Sequence, residues 1–391
     1  MIDPSPSFEP AEGARSDGVL PAQDIARLVE SGCVGVAPGG QPVDPAQIQP
    51  ASLDLRLGAK AYRVRASFLA SAGATVAERL QDFAMHEVDL TDGAVFETGC
   101  VYVAPLQERV RLPENMSAAA NAKSSIGRVD VFTRLITDYG TEFDRIEAGY
   151  DGPLYVEIAP RTFSVLARTG ARLSQIRFRV GAPAFSAEEL ARLQADQALV
   201  AVSGGLDLEG GPGDAPGLPF SVDLRSTDGG PVGYRARRFC GLIDLDRIAH
   251  YDPADFWDPI FPQRFAGAGG TASGVILDPG AFYILVSQEQ VHVPPHCAAE
   301  MTPYLAVVGE FRVHYAGFFD PGFGHAAAGG AGSRGVLEVR CHEQPFALEH
   351  GQVVGRLIYE PMLSPPDRLY GDALGSNYQA QGLRLSKHFK R

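Results

Sequence analysis

"GCVYVAPLQERVRLP", residues 99–113, recurs further along the chain as "GAFYILVSQEQVHVP", residues 280–294. The two align at an offset of 181, which sets Tyr102 with Tyr283 and Pro113 with Pro294. "LYVEIAPRTFSVLARTG" (154–170) and "VLEVRCHEQPFALEHG" (336–351) keep the same offset, with Glu157 matched to Glu338 and Gly170 to Gly351. Agreement at one offset over such lengths is not a chance pattern, so the chain reads as one domain written twice. A third pair opens each copy: "PASLDLRLG" (50–58) and "PFSVDLRST" (219–227), followed by Tyr-Arg-x-Arg at 62 and at 234. Each copy is a series of short alternating apolar runs broken by Gly and Pro, the pattern of antiparallel strands in a sandwich or small barrel.

The chain has 391 residues, too many for one typical domain, and its 45% hydrophobic content supports real cores. Forty-four glycines and 29 prolines suit many short strands joined by tight turns. A formal net charge of −13 argues against nucleic acid polymers and anionic membranes as partners. It leaves room for a small anionic ligand in a local cationic pocket. Five scattered cysteines without a CxxC pair suggest neither a disulfide framework nor a zinc cluster, and fit a reducing cytoplasm.

Residues 1–18 lack a basic start and an apolar run and read as a disordered leader. No stretch has the length of a membrane-spanning helix. Two helices are expected: "LPAQDIARLVESG" (20–32), stopped by glycine, and "SAEELARLQADQALVA" (186–201), opened by a Ser-x-x-Glu cap. The second is expected to close copy one, giving copy one over 19–202, a flexible linker over 203–219, and copy two over 220–362.

Several common chemistries lack their residues. The zinc-dependent nucleobase deaminases need His-x-Glu and Pro-Cys-x-x-Cys, and "PPHC" (294–297) stops short of it. GxxxxGK[ST] and Gly-x-Ser-x-Gly are missing too. "AKSSIGR" (122–128) gathers Lys123, Ser124, Ser125 and Arg128, donors that suit phosphate oxygens and equally suit a solvated polar turn. Glu157 and Glu338 continue strand alternation, so each carboxylate projects from a sheet face. That face is either water or a site. "HYAGFFDPGFG" (314–324) has its counterpart in "FDRIEAGYDG" (143–152), and each is a turn.

Taken in order, "PASLDLRLG", "KSSIGR", "DPGF", "VLEV" and the tail "YGDALGSNYQAQG" (370–382) resemble the hallmarks of the dCTP deaminase family, in the superfamily shared with trimeric dUTPase. The resemblance covers nearly the whole chain after the leader, once per copy. It implies a mainly β fold of two tandem dUTPase-like domains with a few short helices. The implied activity is hydrolytic deamination of dCTP to dUTP and ammonia by a glutamate-activated water without zinc. Magnesium accompanies the triphosphate, dTTP is a possible inhibitor, and the protein is a homo-oligomer in the cytoplasm.

Carried over residue by residue, Ser124, Ser125 and Arg128 contact triphosphate, Ser124 and Arg128 also belong to the catalytic network, and Lys123 stands where the family has Arg. Glu157 and Glu338 are the candidate bases. Ala316, Asp320 and Phe323 belong to the pyrimidine pocket, and Tyr370 and Gln381 to a tail (363–391) that closes the nucleotide site. Copy one departs from the family at Glu147-Ala148-Gly149, and copy two has "TPYLAVVG" (302–309) in place of the Ser-Ser-Arg segment. The tail has Asn377 in place of Lys. The expectation is a composite: copy one holds the phosphates, and copy two supplies Glu338 and the base pocket. The alternative keeps the chemistry in copy one with Glu157. A dUTPase-type or bifunctional diphosphatase, and a non-catalytic nucleotide sensor, remain as rival functions.

Overall fold

A computed structural model describes residues 8–10, 13–202, 217–226, 228–267, 270–303, 311–314, 317–371, 378–379 and 381–391. The chain divides into two compact units. The first is Met1–Ala184 with Gly241–Ile248 and Glu360–Arg368, and the second is Phe185–Cys240 with Ala249–Tyr359 and Leu369–Arg391. Both are mainly β.

The main sheet of the first unit runs Ala84–Asp89, Lys60–Val64, Val101–Arg111, Asp151–Pro160, Val131–Thr137. That of the second runs Trp257–Ile260, Gly233–Ala236, Phe282–Val291, Ser333–Cys341, Phe311–His314. The order is the same, element for element. A second sheet repeats likewise: Arg172–Val180, Met116–Ala122, Arg145–Ile146 in one unit, and Val353–Pro361, Cys297–Pro303, Phe318–Phe319 in the other. Among the described residues the sheets stay open and no barrel closes.

The repeat extends to register. Tyr102 stands opposite Ile158 and Val103 opposite Glu157, while Tyr283 stands opposite Val339 and Ile284 opposite Glu338. Each pair of strands carries a bulge at the matching place, beside Pro105 in one unit and Val286 in the other. A bulge is where a central strand tolerates proline, which has no N–H for the ladder.

Alternation buries one set of side chains per strand. In the second unit Phe220, Tyr283, Leu285, Leu337, Leu348 and Leu357 meet in one core. In the first, Val103, Ile136 and Tyr155 pack with Phe68 and Val76. Each fully buried side chain of this kind contributes about 1.5–3 kcal/mol.

The expected helices form as Ala22–Glu30 and Ala187–Gln197. Ser186 and Glu189 cap the latter reciprocally. The domain boundaries need correction. Ala187–Gln197 belongs to the second unit, whose start is Phe185 rather than a point near 203. Gln194 Nε2 and Oε1 bond the Val200 carbonyl and amide at 2.7 and 3.0 Å, and Val200–Ala201 then pairs with Val291 and Gln290. Conversely, Ile243–Asp244 pairs with Val165–Leu166 in the first unit, where Arg168 bonds Asp244 at 2.8 Å. The tail proper begins at Leu369, because 360–368 belong to the first unit.

Most of the expected linker, 203–216, lies outside the described residues, and its end enters the Leu218–Ser221 strand. Of the expected leader, 1–7 and 11–12 lie outside them as well. Its last residues are held: the Arg15 amide donates to Leu363 O at 3.0 Å, and Gly18 pairs with Val180. The edge of the sheet supplies backbone partners that the local sequence does not advertise.

Candidate active site

In the first unit "AKSSIGR" is the end of the Met116–Ala122 strand followed by the one-turn helix Ser124–Gly127. Lys123 caps the turn with extended backbone, and its carbonyl accepts from the Ile126 and Gly127 amides at 2.8 and 3.1 Å. Arg128 reaches back, Nε to Ser124 Oγ at 3.1 Å. Arg128 is only 2% exposed and Ser125 only 5%. The solvated-turn reading therefore fails: this is a built, largely buried cluster of donors. Lys123 Nζ pairs with the buried carboxylate of Asp54, a residue within "PASLDLRLG" that sequence reasoning left without a role.

The solvated-face reading of the two glutamates fails as well, since Glu157 and Glu338 are 1% and 3% exposed. Their surroundings differ. Arg134, opposite Glu157 on the neighbouring strand, donates to Glu157 Oε1 through Nε at 3.0 Å and through a terminal nitrogen. The same guanidinium bonds Ser67 Oγ at 2.8 Å and lies 3.7 Å over the Phe143 ring. Glu157 Oε2 is buried without a hydrogen-bond partner. At the matching position of the second unit, the residue opposite Glu338 is His314. Arg134 was missed in the sequence because its partner lies on another strand.

The turn of the second unit holds Asp320 and Phe323, 7% and 5% exposed. Gly322 has φ +101°, and a Cβ there would meet Leu369 Cβ at 2.8 Å and the Tyr370 amide at 2.9 Å. Only glycine fits, because the tail passes directly over it. The Tyr370 amide donates to Pro321 O at 2.8 Å, and the Tyr370 and Phe323 rings are 5.6 Å apart.

Gln379, also missed, accepts from the Gly324 amide at 3.1 Å and donates to Gly322 O at 3.3 Å. Gln381 docks on the strand that carries Glu338. Its amide donates to Ser333 Oγ at 3.2 Å, and its side chain donates to Arg334 O at 3.0 Å. Glu338, Asp320, Phe323, Tyr370 and Gln381 thus lie in one unit, while Lys123, Ser124, Ser125, Arg128 and Glu157 lie in the other. Ala316, Asn377 and most of "TPYLAVVG" fall outside the described residues.

In the first unit the corresponding turn is open to solvent: Glu147 is paired with Arg145 at 2.8 Å, both more than half exposed. Elsewhere, Glu289 is buried, and that burial pushes its carboxyl up, but both oxygens are taken by Ser221, at 2.6 and 2.9 Å. It anchors a strand. All five cysteines are free. Among the described residues no cluster of His, Cys, Asp and Glu could hold a metal ion, and no helix is long and apolar enough to cross a membrane.

Residues 16–182 match the profile of the 2'-deoxycytidine 5'-triphosphate deaminase N-terminal domain, and 186–389 that of its C-terminal domain. The two spans part close to the divide at Ala184 and Phe185. The crystal structure of 2'-deoxycytidine 5'-triphosphate deaminase from Agrobacterium tumefaciens is 52% identical and superposes with a TM-score of 0.81, covering 90% of this chain and 100% of that one. The dCTP deaminase of Haloarcula marismortui is 28% identical over 163 residues, 41% of this chain and 79% of that protein. The "dCTP deaminase, dUMP-forming" of Corynebacterium glutamicum is 29% identical over 173 residues, 43% of this chain and 85% of that protein. The fold and these matches define a hydrolase of C–N bonds built on a dUTPase-like β fold. The chain belongs to the 2'-deoxycytidine 5'-triphosphate deaminase family.

Proposed function

We propose that the protein hydrolyses dCTP to dUTP and ammonia, with Glu338 as the general base. Glu338 takes a proton from water, the hydroxide adds to cytosine C4, and the proton passes to the departing amino group. Ser124, Ser125, Arg128 and Lys123 bind the triphosphate. Asp320, Phe323 and Ala316 line the pyrimidine pocket, and Tyr370 and Gln381 close it.

The observation that carries the choice of Glu338 is the engagement of its counterpart Glu157 by Arg134. A base needs a carboxylate oxygen that can meet water and accept its proton. Oε1 of Glu157 is engaged twice by an always-charged guanidinium, and Oε2 is buried. The matched strand order and register support reading the units as tandem duplicates that have since divided the work.

Magnesium would arrive on the phosphates. The described residues provide no carboxylate or imidazole cage for it, and a metal carried by the nucleotide needs none. The missing His-x-Glu and Pro-Cys-x-x-Cys support a mechanism without zinc.

The test is incubation of the full chain with dCTP, following ammonia, dUTP, dUMP and pyrophosphate together. Ammonia with dUTP supports the proposal. Ammonia with dUMP and pyrophosphate would make the enzyme bifunctional, the outcome that the name of the Corynebacterium relative raises. Nucleotide binding without ammonia would leave a sensor.

A further inference from the structure

We propose that Asp54 is a positioning residue of the phosphate-binding segment, holding the Lys123 ammonium in place for the triphosphate. The inference rests on the reading of that segment given above.

Asp54 lies in the Leu53–Arg56 strand, which pairs with Arg172–Val180, the strand that in turn pairs with the one leading into Lys123. The Lys123 amide is fixed on the same strand, donating to Leu173 O at 2.9 Å. Backbone and side chain are thus tied down separately: the first by the sheet, the second by Asp54 Oδ2. The Lys123 side chain is 22% exposed and that of Asp54 3%, so the anchor is buried while the anchored cation stays partly open. An ammonium has three hydrogens. One goes to Asp54, and no other described partner competes for the remaining two.

A free lysine must give up the rotamer freedom of a four-carbon stem each time it grips a phosphate. With Asp54 in place that freedom is already gone before the ligand arrives. The carboxylate does not cancel the cationic character of the segment. Arg172 Nη1 lies 3.8 Å from the same Oδ2, so the Asp54 charge is divided between Lys123 and Arg172. Arg172 cannot replace Lys123, because its two terminal nitrogens are bound at 3.0 Å to Ala46 O and to Asp44 Oδ2. Asp54 Oδ1 is buried with no hydrogen-bond partner, so strand packing by itself leaves half of this carboxylate unsatisfied. Its bond to Lys123 is therefore the interaction that Asp54 makes in common with the phosphate-binding cluster.

The experiment is a double-mutant cycle on the full chain. Asp54→Asn, Lys123→Met and the double variant are titrated with inorganic tripolyphosphate and assayed for kcat and KM on dCTP. Asp54→Asn should weaken tripolyphosphate binding and raise KM about three- to tenfold, the size set by ordering one long side chain, and leave kcat nearly unchanged. In the Lys123→Met background the same substitution should do nothing further. Equal losses in both backgrounds, or unchanged or tighter binding in Asp54→Asn, overturn the proposal. If Asp54→Asn does not fold, Lys123→Met decides, and unchanged tripolyphosphate affinity in that variant overturns it. Tripolyphosphate binding is read without turnover, so wild-type protein that binds it and does not deaminate dCTP would defeat the proposed function and leave this inference standing.

Discussion

Arg134 donates two hydrogen bonds to one oxygen of Glu157, Oε1, from the strand alongside it. The matched glutamate of the second unit, Glu338, faces His314 in the equivalent ladder position. Two copies of one sheet position thus set different residues opposite the same glutamate. Glu338→Gln keeps shape and cannot accept the proton, so kcat should fall by roughly 10²–10⁴ while nucleotide still binds. Glu157→Gln should leave kcat near wild type and destabilise its unit by about 1–3 kcal/mol, as expected when a buried partner of Arg134 loses its charge. An inactive Glu157 variant beside an active Glu338 variant would move the chemistry to the first unit.

Arg128→Ala removes the guanidinium that closes the helical turn on Ser124. Charge-assisted contacts are worth about 1.5–3 kcal/mol each, so kcat/KM for dCTP should drop by roughly 10- to 150-fold. Thermal denaturation separates that loss from unfolding. A folded variant with unchanged kinetics would deprive the segment of its phosphate role.

Gln379→Ala deletes the acceptor of the Gly324 amide and the donor to Gly322 O. Exchange of the Gly324 amide with deuterium should speed up by about fivefold, in line with one net hydrogen bond of about 1 kcal/mol, and KM for dCTP should rise. An exchange rate equal to wild type would mean that the tail does not rest on this turn in solution.

Acid should weaken the second unit first. Burial is the main cause that lowers His292, His296, His325 and His350 below the usual value of 6.5, helped at His325 by the other two nearby histidines and at His350 by Arg225. A depressed histidine is held neutral in the fold, so the unfolded chain binds protons more readily. The stability it contributes is therefore complete above 6.5 and is lost as pH falls through the lower folded value.

Asp223 extends the trend to lower pH. Burial opposes its charge, yet the Arg225 amide at 3.1 Å and Arg334 at 2.6 Å hold its carboxyl below 3.8. The melting temperature should fall between pH 7.5 and pH 5.5, with deuterium uptake rising first in Phe282–Val291 and Ser333–Cys341. A melting temperature that rises on acidification would contradict the sign.

Deamination should survive a strong zinc chelator when magnesium is supplied in excess. Activity lost to the chelator and restored by zinc alone would contradict the glutamate mechanism.

Much of the architecture was written locally. The offset between Tyr102 and Tyr283 survives as identical strand register, because side-chain alternation leaves only one register that buries the apolar set. The Ser186 and Glu189 cap formed as the sequence indicates. The helix Val76–Phe83, unremarked in the sequence reading, carried the same signal in Thr75 and Glu78. Gly322 was legible as a turn residue, though the reason it admits no side chain, the passage of Leu369 and Tyr370, was not.

The sequence by itself determined the repeat, two of the helices and the identity of the donor segment, since each depends on neighbours in the chain or on periodicity along it. Only the tertiary structure decided that Arg134 occupies Glu157, that Asp54 holds Lys123, and that Ala187–Gln197 belongs to the second unit. Those pairings join residues far apart in sequence or across strands, and a carboxylate's availability depends on which cation the folded sheet sets beside it.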